Sequence, residues 1–78
     1  MYDESAIHGH MEVVGADGRH VGTVDEVRND HTLRLTKNDP AAGGHHHVIP
    51  MDWVSEVEGD RVRLSMPSSE VQRQWRAD

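Results

Sequence analysis

Seven histidines in 78 residues give this chain its clearest chemical content, and three of them, His45, His46 and His47, are consecutive. A neutral imidazole nitrogen is a common ligand for zinc, nickel and copper, so the run suggests a transition-metal site. Strand geometry narrows that reading. Successive side chains on a strand point to opposite faces, which leaves His45 and His47 on one face and His46 on the other. His45 and His47 are therefore the candidate ligands for Zn, Ni or Cu, and further donors must come from elsewhere. His8 and His10 repeat the i, i+2 spacing, while His20, His31 and the acidic residues are donors that sequence alone does not bring together. The plainer reading is that His47 packs against or hydrogen-bonds within the fold while the other histidines are solvated beside a mobile loop, with no cofactor required; if His47 is buried and neutral, its pKa lies below the usual value of about 6.5.

Other chemistries find less support. Ser55, Ser65, Ser68 and Ser69 lack the Gly-x-Ser-x-Gly context of a nucleophile elbow. Asp25 and Glu26 are adjacent carboxylates, but neighbours on a strand point apart. Gly15, Gly18 and Gly22 are not followed by a helical pattern, so no phosphate-cradling loop is formed. There is no cysteine, which removes thiolate nucleophiles, disulfides and Cys-ligated zinc. No enzymatic activity is expected. Eight Lys and Arg against fourteen Asp and Glu give a net charge of −6, with the cations scattered along the chain. Such a charge repels phosphate backbones, so neither nucleic acid nor an anionic membrane is expected as a partner. No apolar run approaches the roughly 20 residues that span a bilayer, and Met1-Tyr2-Asp3-Glu4 is acidic where a signal peptide is basic; a cytoplasmic location is expected.

The elements that must position these residues are mostly strands. Ten valines against three leucines favour pleated structure, where β-branched side chains fit best. Residues 1–8 are expected to form a flexible arm or one short turn, and residues 9–78 a single domain. The expected strands are His10–Val14, Val21–Val27 with a bulge near Asp25-Glu26, His31–Thr36, His45–Ile49, Ser55–Glu58 and Arg61–Met66. Turns fall at Asp17-Gly18, Asn29-Asp30 and Gly59-Asp60, and residues 38–44 read as a mobile surface loop. Pro50 stops one strand, and Trp53 is placed at the corner that follows. Beyond Pro67, Ser68 is expected to cap a short helix through Arg76, with Val71 and Trp75 on one face at i, i+4. A helix that short must dock, either on its own sheet or on a second subunit, so Trp75 and Val71 are the candidate interaction residues. A homodimer or another protein partner is the expectation, and five or six short strands with one helix suggest a small barrel.

The succession Val21-Gly22-Thr23-Val24-Asp25-Glu26-Val27, Leu33-Arg34-Leu35, His47-Val48-Ile49-Pro50-Met51-Asp52-Trp53-Val54 and Gly59-Asp60-Arg61-Val62-Arg63-Leu64 resembles the PRC-barrel superfamily. More narrowly, it resembles a family of small uncharacterised bacterial domains with a PRC-barrel-like fold, over about residues 9–76. The resemblance implies a mainly β, PRC-barrel-like β-barrel with one short C-terminal α-helix, and it implies no catalytic residues. Better-known PRC-barrels, in a photosynthetic reaction-centre subunit and a ribosome maturation factor, act through protein contacts. By that analogy the chain is a non-enzymatic interaction or adaptor module, with transition-metal binding as the alternative.

Overall fold

The computed structural model describes residues 4–77. Its strands are β1 (Glu12–Val14), β2 (His20–Val27), β3 (Thr32–Leu35), β4 (His47–Pro50), β5 (Val54–Glu58), β6 (Arg61–Leu64) and β7 (Arg76–Ala77), with one helix, α1 (Ser68–Gln74), before β7. They form one sheet in the order β5-β6-β1-β2-β3-β4-β7. Every neighbouring pair is antiparallel except β1 and β6, which run parallel with Val13 opposite Val62. The fold is mainly β, as expected, but among the described residues the sheet is not closed into a barrel: β5 and β7 are its two ends.

β2 holds the two halves together. Its first half pairs with β1 (Thr23 opposite Glu12) and its second half with β3 (Val27 opposite Leu33). The register shifts between Val24 and Glu26, so the expected bulge is present. An extra residue bends a strand and increases its twist. That bend turns the two half-sheets toward a shared interior, where Val13, Val21, Val24, Leu33, Leu35, Ile49, Met51, Val62, Leu64 and Val71 are buried in one cluster. Each such side chain contributes roughly 1.5–3 kcal/mol relative to exposure. The alternation that marked Leu33 and Leu35 on β3, and Val62 and Leu64 on β6, is the alternation observed.

Four expectations are corrected. Ile7, assigned to the arm, is buried in the core cluster, although the short turn expected there is present as a 3-10 turn over Glu4–Ala6; residues 1–3 lie outside the described residues. The 38–44 loop contains a 3-10 turn, Pro40–Ala42, with Asp39 as its N-cap accepting from the Ala41 N–H, and both Asp39 and Ala42 are buried. The helix ends at Gln74 rather than Arg76, because Trp75 is extended (φ −66°, ψ 156°) and feeds a seventh strand onto β4. Finally, Ser68 is the first helical residue and not the cap. The Asp17 carboxylate reaches over from the β1–β2 turn to accept from both the Ser68 N–H and its hydroxyl, each at 3.3 Å. Gly15 makes that approach feasible, since a Cβ there would lie 2.4 Å from the Ser68 nitrogen.

Candidate functional site

The histidine run falls into three environments. His45 is exposed and precedes β4. His46 turns its Nδ1 to the Leu35 carbonyl at 3.0 Å. His47 opens β4 and stacks on Trp75, ring centroids 3.9 Å apart at 12°. Its Nδ1 is buried and has no hydrogen-bond partner among the described residues. Burial, and then the nearby His45, hold the His47 pKa below the ordinary imidazole value. His47 is thus packed within the fold, as expected from sequence, with its pKa shifted toward the neutral form. Among the described residues, no three His, Cys, Asp or Glu side chains are grouped so as to hold a metal ion.

The two interaction candidates also separate. Val71 is fully buried in the core, so a partner cannot touch it unless α1 moves. Trp75 is partly buried, its ring engaged by His47 within the same chain. Trp53 packs partly buried against the core at the corner after Pro50, in a 3-10 turn spanning Met51–Trp53.

A polar cluster that sequence reasoning missed lies across β1, β2 and the β3–β4 connection. His20, at the start of β2, places Nε2 2.6 Å from Asp39 Oδ2 and Nδ1 2.9 Å from Glu12 Oε2. Thr23 donates its hydroxyl to the same Asp39 oxygen at 2.8 Å, and the Ala41 N–H donates to the other at 2.9 Å. Arg61 on β6 reaches Glu12 Oε1 at 3.3 Å. Burial alone would lower the His20 pKa, but its hydrogen bonds to Glu12 and Asp39 and the charges of those carboxylates outweigh it and raise it. For Asp39 burial pushes upward, and the donors Ala41, Thr23 and His20 bring the pKa below the usual carboxylate value. The one signal available in sequence was Asp39-Pro40, an acidic N-cap followed by proline at the first helical position.

The sheet also presents an open edge. Among the described residues β5 pairs with β6 alone, leaving the other side of a five-residue strand without a paired strand. Ser55, Glu56 and Glu58 are exposed along it.

Residues 7–72 match the model of a family described as an uncharacterised protein conserved in bacteria, DUF2171. The chain belongs to this family. The DUF2171 match starts at the first core residue, Ile7, and ends inside α1, so it spans β1 to β6. No curated protein matches the chain. Among the described residues, no helix of this DUF2171 domain is long and apolar enough to cross a membrane.

Proposed function

We propose that this DUF2171 domain is a non-enzymatic protein-interaction module that takes an extended, basic segment of a partner protein onto the β5 edge. The observation that carries the reading is the edge itself. Unpaired backbone N–H and C=O groups of an edge strand are a template for an added strand, with main-chain hydrogen bonds supplying affinity. Charge supplies the preference. Glu56 and Glu58 share a single arginine, Arg63, at 3.9 and 3.1 Å, and Asp60 is exposed in the adjoining turn. The same acids oppose the pairing of two copies of β5, since like charges facing each other across strands are destabilising. A homodimer would need a different surface, and Trp75, partly buried beside β7, is where we place it.

The test is an NMR titration of the labelled domain with an extended peptide alternating lysine and valine, beside a matched peptide alternating glutamate and valine. Amide shifts should concentrate in Val54–Glu58, appear only with the basic peptide and weaken as salt rises. Shifts elsewhere, or equal shifts with both peptides, would exclude the edge.

A second reading, transition-metal binding through His45 and His47, is supported by the unpartnered Nδ1 of His47. Calorimetric titration with zinc, nickel and copper should then show binding that His45→Ala combined with His47→Ala abolishes; binding unchanged in that variant would exclude the pair.

A further inference from the structure

The polar chain from Asp39 to Arg61 crosses four elements in spatial order. Asp39 lies in the β3–β4 connection, His20 on β2, Glu12 on β1 and Arg61 on β6, and each is in hydrogen-bond or ion-pair contact with the next. Glu12 is shared: Oε2 faces His20 and Oε1 faces Arg61. Both His20 contacts are donor-to-carboxylate hydrogen bonds only when both ring nitrogens carry a proton. A neutral imidazole has one N–H, so one of the two carboxylates must lose its donor.

The geometry decides which one. Asp39 is the buried carboxylate, its side chain 4% exposed, and Glu12 is 41% exposed. A bare Nε2 would set its lone pair 2.6 Å from a buried carboxylate oxygen that cannot turn to water, whereas the exposed Glu12 can, so the remaining proton stays on Nε2, toward Asp39. Nδ1 then meets Glu12 as a lone pair against a carboxylate oxygen, and Glu12 is driven to its other partner. Glu12 and Asp39 are the charged groups that act on His20, and Arg61 acts through Glu12.

We propose that Glu12 is a proton-operated lever: it bridges His20 and Arg61 while His20 is an imidazolium, and passes wholly to Arg61 when His20 is neutral. The lever ends at the β5–β6 hairpin, because Arg61 is the register partner of Glu58. It operates whether or not β5 takes a partner strand.

The test follows three signals by NMR through a pH titration of the whole domain: the His20 ring, the Glu12 carboxyl carbon and the Arg61 Nε–H. All three should move at one midpoint, above the usual imidazole value of about 6.5. Glu12→Gln should abolish the Arg61 response and lower the His20 midpoint, while His20→Gln should leave Arg61 without any step in that range. An Arg61 signal that stays constant through the His20 midpoint, or one that still responds in Glu12→Gln, would overturn the lever. If either variant fails to fold, the wild type decides through the coupling across the hydrogen bond between Arg61 Nε and the Glu12 carboxyl carbon, which should grow above the His20 midpoint; a coupling that stays constant through that midpoint would overturn the lever.

Discussion

The pKa values of His20 and His47 shift in opposite directions, because the carboxylates flanking His20 overcome its burial, whereas burial and then the nearby His45 lower that of His47. The His20 pKa is raised on folding, so its contribution to stability is complete below the unfolded value of about 6.5 and fades as pH rises through the folded value. The His47 pKa is lowered, so its contribution is complete above about 6.5 and fades as pH falls toward the folded value. Thermal melts across this range should therefore show His20→Gln flattening the alkaline loss of stability and His47→Gln flattening the acid loss. Parallel pH profiles for the two variants would contradict the assignment. Asp17 and Asp39, whose pKa values are lowered, act in a separate window. Their contributions are present above the ordinary carboxylate range and are lost as pH falls through the folded values.

Helix α1 shows how an element too short to persist alone is kept in place. Val71 anchors it in the core, Asp17 satisfies its first turn, and the Trp75 N–H returns to the Val71 carbonyl at 2.8 Å before β7 pairs with β4. Gly15→Ala should cost about 1–3 kcal/mol in urea unfolding, because the added methyl must push Ser68 off the β1–β2 turn. Asp17→Ala should leave the strands protected while amide exchange across Ser68–Gln74 accelerates. Period-two patterning made β3 and β6 legible, and the three-residue spacing of Val24 and Val27 pointed to the bulge, but the expectation that it returns both valines to the core is corrected: Val24 is buried and Val27 is exposed. The helix was legible from Pro67 and Val71. Its cap was not, because Asp17 and Ser68 are remote in sequence and only the fold brings them together. The same holds for His20 and Asp39, and for β7, whose two residues carry no periodicity at all.

Over the whole molecule, one small cluster of aliphatic side chains carries the fold, so single truncations inside it should be severe. Leu64→Ala, at a fully buried site, should lose about 2–5 kcal/mol, a large part of the roughly 5–15 kcal/mol that a domain has in total. Chemical denaturation with both tryptophans as probes measures this directly. The unclosed sheet was not legible, because local alternation sets which face of a strand is buried and says nothing about whether the first and last strands meet. The parallel pairing of β1 with β6 has a further consequence, for timing. Glu12 faces Arg61 across most of the chain's length, so the central strand of one half-sheet waits for a neighbour made much later. A nascent chain emerging from the ribosome would hold β1, β2 and β3 with one side of β1 bare until the β5–β6 hairpin cleared the exit. Folding should then be a late, single event on the millisecond-to-second scale of non-local β topologies, and nascent chains arrested before Arg61 should remain open to protease.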